Sequence, residues 1–223
     1  MEARLITRPA DSPFVHSITH WTIGTDDTAI ATPDGCWDFV VLKRDTQTTI
    51  LLTGQTTIAV PLNFAPGDEI MTISFKASAF LAFITSSALL DHAIILSKTH
   101  NSVQLASDVF EIPTFANAEA FAQSLVSKGH LYQDDVVEAL LANHPLAYSP
   151  RSVQRHFMRT TGMTYTYFRQ IQRARRAAAL LQSGHLASEV AYESGYADQA
   201  HMSRSLKRIL GQTPTVLATL QRP

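Results

Sequence analysis

Arginine and glutamine side chains are grouped at two places in the last third of the chain. The residues concerned are Arg151, Gln154 and Arg155 in the first group, and Gln199, Ala200, His201 and Arg204 in the second. A guanidinium group pairs with the edge of guanine through two hydrogen bonds, a carboxamide pairs with adenine, and both reach phosphate oxygens. Side chains of these types on one helix face are typical of a surface that contacts nucleic acid.

The two groups lie in segments of the same design, separated by 49 residues. Each segment begins with a side chain that caps a helix and ends at a glycine, where a helix terminates in the left-handed conformation. Each also carries an apolar pair spaced four residues apart, which predicts a buried stripe opposite the polar face. The matched residues are Ser149, Val153, Phe157 and Gly162 in the first segment, and Asp198, Met202, Leu206 and Gly211 in the second.

Each segment follows a shorter helical pattern, at residues 134–142 and 186–194, and this order predicts two helix-turn-helix units. Residues 165–182 form one long helical pattern between them, with Thr164 as its capping residue. A helix of about 18 residues is roughly 27 Å long, close to the roughly 34 Å of one DNA turn. The spacing therefore predicts that the helices over 149–161 and 198–210 enter successive major-groove segments.

The sequence SPRSVQRHF, and above all GYADQAHMSRSLKRILGQTP, resembles the DNA-binding domain of AraC/XylS-family transcription regulators. The resemblance covers residues 134–217, with Asn143-His144-Pro145 before the first recognition helix as a departure from the family pattern. It implies a DNA-binding regulator without catalytic activity, cofactor or metal, and it places the seven residues named above at DNA-contacting positions. The resemblance implies double-stranded DNA, RNA polymerase and a small-molecule effector as partners. It also implies that the protein is a homodimer.

Charge is divided unevenly along the chain. Residues 1–133 contain 7 basic and 13 acidic residues, a net charge of −6, whereas residues 134–223 contain 11 and 6, a net charge of +5. Seven arginines and no acidic residue lie between Glu138 and Glu189. This asymmetry favours a nucleic-acid-binding half joined to an acidic half. A single cysteine and the lack of a signal-peptide or membrane-length apolar run predict a cytoplasmic protein.

The first half of the chain contains short segments rich in β-branched and aromatic residues. Strands are predicted at 14–21, 37–42, 48–52, 56–60 and 70–75, and a helix at 117–127, whereas 79–96 fits either helix or strand. The predicted class is therefore α+β. A small antiparallel β domain, sandwich or barrel, with a linker helix occupies residues 1–130, and the all-helical DNA-binding domain occupies 131–223.

The stretch from Pro33 to Phe39 resembles one found in the N-terminal domains of some AraC-like regulators. It predicts either a tight turn that leads into a strand, or an effector or thiol-sensing site formed by Cys36, Trp37 and Asp38. Two alternatives to effector-controlled regulation therefore stay open. One is chemistry at Cys36 coupled to DNA binding, and the other is a constitutive DNA-binding dimer that has no effector.

Overall fold

The computed structural model describes residues 4–24 and 27–219, and it confirms the predicted α+β class. A β-rich N-terminal domain is followed by a helical C-terminal domain. The strands are β1 (Arg4–Pro9), β2 (Val15–Thr22), β3 (Asp27–Ala31), β4 (Trp37–Arg44), β5 (Gln47–Thr53), β6 (Val60–Phe64), β7 (Glu69–Phe75), β8 (Ala79–Leu81), β9 (Ala93–Ile95), β10 (Ser102–Leu105), β11 (Asp108–Glu111) and β12 (Leu131–Gln133). The helices are α1 (Ser86–Leu89), α2 (Ala118–Ser127), α3 (Asp135–Leu141), α4 (Pro150–Thr161), α5 (Tyr165–Gln182), α6 (Ala187–Glu193), α7 (Gln199–Leu210) and α8 (Pro214–Thr219).

A six-stranded antiparallel sheet forms the body of the N-terminal domain, with strand order β1-β2-β7-β4-β5-β9. Alternate residues of a strand point to opposite faces, so Trp37, Phe39 and Val41 are buried in one core. Helix α2 covers this face, where the ring of Phe121 lies 4.7 Å from that of Phe39. The predicted strand at 56–60 is wrong, because the strand begins at Val60 and pairs with β3.

The segment 79–96, which fitted either helix or strand, contains both in short pieces. It consists of β8, the single-turn helix α1 and β9. Its apolar residues serve both domains, since Leu89 packs in the N-terminal core and Leu90 packs against the helical core. An apolar run that lies between two cores has no single period, and its sequence pattern was ambiguous for this reason.

The helical domain follows the predicted pattern closely. Helix α5 spans Tyr165–Gln182 as expected and is capped by Thr164, whose hydroxyl accepts a hydrogen bond from the amide of Tyr167. Its buried side packs with α4, α6, α7 and α8 in one apolar cluster.

The domains meet without a linker. Strand β12 pairs with β8 of the N-terminal domain, and Asp134 then caps α3. Residues 131–133 thus pair with a strand of the β-rich part of the chain, and the boundary at residue 130 stays a prediction.

Asp38 lies in register with Thr53 and Ser74, on the sheet face opposite Trp37. The residue as a whole is half-buried, but its Oδ1 is shielded from solvent and has no hydrogen-bond partner in the described part of the chain. Burial, and to a smaller extent the charge of Asp34, raises the pKa of Asp38 to about 7, because the hydroxyls of Ser74 and Thr53 offset these effects only in part.

A raised pKa means that the folded protein keeps this proton at pH values where the unfolded chain has lost it. As the pH rises from 4 to 7, the free energy of unfolding of the wild type should therefore fall relative to that of Asp38→Asn, by up to about 1.4 kcal/mol per pH unit. Urea unfolding at several pH values measures the difference. The exposed Asp11→Asn is the control, and a wild-type-to-Asp38→Asn difference that is constant from pH 4 to 8 would refute the assignment.

Candidate nucleic-acid interface

The first candidate recognition helix, α4, starts at Ser149, whose hydroxyl accepts a hydrogen bond from the amide of Ser152. It ends at Gly162, which has a φ of 75°. Of the two residues predicted to form a buried stripe, Phe157 is fully buried, whereas Val153 is only half-buried. The three candidate side chains are exposed and form no hydrogen bond or ion pair within residues 4–24 and 27–219: Arg151, Gln154 and Arg155.

The second candidate recognition helix, α7, repeats this construction. The carboxylate of Asp198 accepts a hydrogen bond from the amide of His201 at 2.6 Å, and the helix ends at Gly211, where φ is 71°. Both Met202 and Leu206 are fully buried, as predicted. The side chains of Gln199, Ala200 and Arg204 are exposed, whereas His201 is half-buried, with its ring packed edge-on against Tyr196.

A buried carboxylate holds the first unit together. The side chain of Asp134 is 2% exposed and accepts hydrogen bonds from the amides of Val136 and Val137 at the start of α3. Three side chains of α4 also form hydrogen bonds with this carboxylate: His156 through Nδ1 at 2.8 Å, Arg159 through Nη2 at 2.8 Å and Thr160 through Oγ1 at 3.0 Å. Burial acts to raise the pKa of Asp134, but these hydrogen bonds outweigh it and lower the pKa, which keeps the carboxylate ionised.

Sequence reasoning missed this role of Asp134. An acidic residue directly before a helix predicts a cap, but nothing in the local pattern shows that its carboxylate faces a second helix. The structure also separates Arg159 from Arg151 and Arg155, with which it forms a basic run in the sequence. Arg159 is bound to Asp134, and its guanidinium lies 5.8 Å from the ring centre of Phe80.

Comparisons with known proteins agree with this geometry. A family profile described as "Helix-turn-helix domain" matches residues 144–219. The HTH-type transcriptional regulator RipA of Corynebacterium glutamicum is 36% identical over 73 residues, which are 33% of this chain and 22% of RipA. The chain therefore aligns with about a fifth of the length of this relative. Residues 144–219 therefore form a helix-turn-helix domain.

Solved structures of ToxT from Vibrio cholerae are similar to this chain at low sequence identity. One crystal form of ToxT has a TM-score of 0.46 and 11% identity, with 98% of this chain and 99% of ToxT covered. A structure of ToxT from strain O395 has a TM-score of 0.43 and 9% identity, with coverage of 97% and 98%.

Within the helix-turn-helix domain, two arginines of α5 form hydrogen bonds with other parts of the protein. Arg173 donates to the carbonyl of Gly195 and stacks over the ring of Tyr196 at 4.3 Å, so it fixes the turn of the second unit. Arg175 donates to the carbonyl of Asp34 in the N-terminal domain. Arg169 and Arg176 lie exposed on the same helix.

The Pro33–Phe39 stretch forms the predicted turn followed by a strand. Cys36 is buried, and burial together with the charges of Asp34 and Asp38 raises the pKa of its thiol well above the ordinary value. Trp37 stacks on Phe75 at 4.0 Å and donates its indole N–H to the carbonyl of Ala79. A cavity of about 20 Å³ lies beside Trp37. This volume has room for about one water molecule. An effector site at Cys36, Trp37 and Asp38 stays a prediction.

A larger cavity of about 270 Å³ lies elsewhere in the N-terminal domain, lined by the side chains of Lys43, Glu69, Met71 and Phe115 among others. Within the described ranges, no three His, Cys, Asp or Glu side chains are grouped as metal ligands would be. None of the helices that the structure describes has the length and apolar character needed to cross a membrane.

Replacing Asp134 with Ala should destabilise the protein by about 2–3 kcal/mol, because it uncaps α3 and leaves the α3 amides and the Thr160 hydroxyl without their buried acceptor. The neighbouring Asp135 is exposed at the first position of α3, so Asp135→Ala should cost less than about 1 kcal/mol. Urea denaturation followed by circular dichroism measures both. Equal losses in the two variants would contradict a central role for Asp134.

Proposed function

We propose that the protein is a transcription regulator that binds double-stranded DNA in a sequence-specific manner and catalyses no reaction. In this proposal α4 and α7 read two successive major-groove segments. The observation that carries it is the presence of two helices of one construction, each with free arginine and amide side chains in its first two turns. Among residues 4–24 and 27–219 these side chains find no place in the core and no salt-bridge partner, so the fold gives no other reason for them.

The contrast between the two arginine classes supports this assignment. Arg159, Arg173 and Arg175 are engaged within the protein, and each lies off the first two turns of a recognition helix. Arg155 and Arg204 occupy matching positions in the two units and remain exposed. A recognition helix contacts base edges with its N-terminal turns, which are the turns that carry Arg155 and Arg204.

A regulator that senses oxidants through Cys36 has less support. The thiolate is the reactive form of cysteine, and a buried thiol with a raised pKa is protonated at neutral pH. A constitutive DNA-binding protein fits the same interface as a regulated one. The homodimeric state, contact with RNA polymerase and the effector stay predictions from the family resemblance.

Arg155→Ala and Arg204→Ala should each weaken binding to a selected operator by about 1–3 kcal/mol if each side chain contacts a base. The double variant should be close to additive, because the two positions share no partner. Operator fragments are selected from random DNA with the purified protein, and affinity and footprint are then measured for each variant.

The control is Arg4→Ala, which removes one exposed charge from the edge of the N-terminal sheet. It should leave both affinity and footprint unchanged. If Arg155→Ala behaves like Arg4→Ala while Arg204→Ala does not, α4 only supports the fold and α7 alone reads the DNA.

Binding should also weaken steeply as salt increases, because each phosphate contact releases a counterion. The expected slope of log affinity against log salt concentration is about −0.9 per contact. Arg176→Ala, which removes an exposed charge from α5, tests whether that helix contacts phosphate, since it would then lower the slope by about one contact. A wild-type slope near zero between low and physiological salt would exclude the proposed function.

A further inference from the structure

The turn at Pro33–Cys36 is built into the interface between the two domains. Gly35 has a φ of +85°, and a Cβ atom at this position would collide with the ring of Phe168 on α5. The carbonyl of Asp34 accepts hydrogen bonds from Gln172 Nε2 at 3.2 Å and Arg175 Nη1 at 3.0 Å. Three side chains of the connecting helix therefore hold two residues of one turn.

The N-terminal domain fixes the shape of the same turn from the other side. The amide of Cys36 donates to the carboxylate of Asp34 at 2.8 Å, and Gln55 Nε2 donates to the carbonyl of Gly35 at 3.2 Å. Gln55 is itself buried, at 3% exposure. A turn that is fixed on both sides moves only together with the surfaces that it joins.

Phe168 connects this turn to the first recognition helix. Its ring lies 5.2 Å from the ring of Phe157 in α4, in an edge-on arrangement. Phe157 is fully buried and has no room to move independently of its neighbours. Gly35, Phe168 and Phe157 thus form one line of contacts from the N-terminal sheet to α4.

Further contacts brace the ends of both recognition helices. Ser86 Oγ donates to the carbonyl of Thr160 near the end of α4, at 2.7 Å. The amide of Ala59 donates to the carbonyl of Ile209 near the end of α7, at 2.9 Å. Both contacts lie at the C-terminal ends, so the N-terminal turns proposed to contact DNA stay uncovered.

The two units depend on these contacts to different degrees. In the second unit, both α6 and α7 pack on α5. The first unit has a smaller contact with α5, through α4, and is also held by α1, β8 and a hydrogen bond from Ser78 to Glu138. The position of α4 relative to α7 is therefore set by α5 and by the N-terminal domain together.

We infer that the Pro33–Cys36 turn is a coupling element, which holds α4 at the spacing from α7 that DNA binding requires. The N-terminal domain then holds the two units in a fixed relative position. A change that breaks the contact between the turn and Phe168 lets the first unit move relative to the second. The inference rests on the proposed function only where it is tested by operator binding. A test of the distance between the two units is independent of that function.

The test compares two glycines with nearly the same backbone conformation. Gly67 has a φ of +88°, and a Cβ atom there meets nothing within 4 Å. Gly35→Ala and Gly67→Ala therefore impose a similar backbone strain, but only the first displaces Phe168. We expect Gly35→Ala to weaken operator binding about tenfold relative to Gly67→Ala and to reduce the footprint over the first half-site.

A second measurement needs no DNA. Spin labels at Asp135→Cys on α3 and Glu189→Cys on α6, both exposed positions, report the distance between the units in a Cys36→Ala background. The wild type and Gly67→Ala should give one narrow distance distribution, and Gly35→Ala a broad one. Equally narrow distributions in all three would overturn the inference. If the wild type binds no DNA, the proposed function fails while this measurement still decides the coupling.

A surface variant covers the case in which Gly35→Ala does not fold. Gln172→Ala combined with Arg175→Ala removes both side-chain donors to the Asp34 carbonyl and leaves the core intact. The matched control is Arg176→Ala, which removes the same charge from a neighbouring exposed position. A broader distance distribution in the double variant than in Arg176→Ala supports the coupling. Distance distributions of equal width in these two variants refute it.

Discussion

The burial of the Asp134 carboxylate is the constraint on which the first helix-turn-helix unit depends. An ionised carboxylate loses several kcal/mol of hydration when it leaves water, and this loss is offset only by a full set of donors. Here the donors come from the first turn of α3 and from three residues of α4, so the two helices are held in one arrangement. The backbone amide of Asp134 also donates to the carbonyl of Ser78, which joins this arrangement to the N-terminal domain.

The sequence predicted the features that local chemistry controls. Ser149, Thr164 and Asp198 each cap the helix that follows, and Gly162 and Gly211 each take the left-handed conformation, because these preferences act within a few residues. The same reasoning predicted the exposure of the candidate DNA-contacting residues, which six of the seven show, because exposure follows from the period of the helix. Their contact with DNA stays a prediction.

The features that were missed depend on contacts between distant residues. The role of Arg159 is decided by Asp134, and the role of the Pro33–Cys36 turn is decided by Phe168, more than a hundred positions away. Neither pairing leaves a periodic trace in the sequence. The same holds for 79–96, whose apolar residues are divided between two cores that only the tertiary structure defines.

The direct passage from β12 to the cap of α3 has a consequence for modularity. Domains joined by a flexible linker are exchanged between proteins as independent cassettes, because few contacts cross the joint. In this chain the last strand of one domain ends at Gln133, and the next residue is the buried carboxylate of the other. A chimera cut at this point would have to bring the β8 segment and Ser78 with it. The two halves therefore have to be exchanged together in protein engineering, at least across this joint.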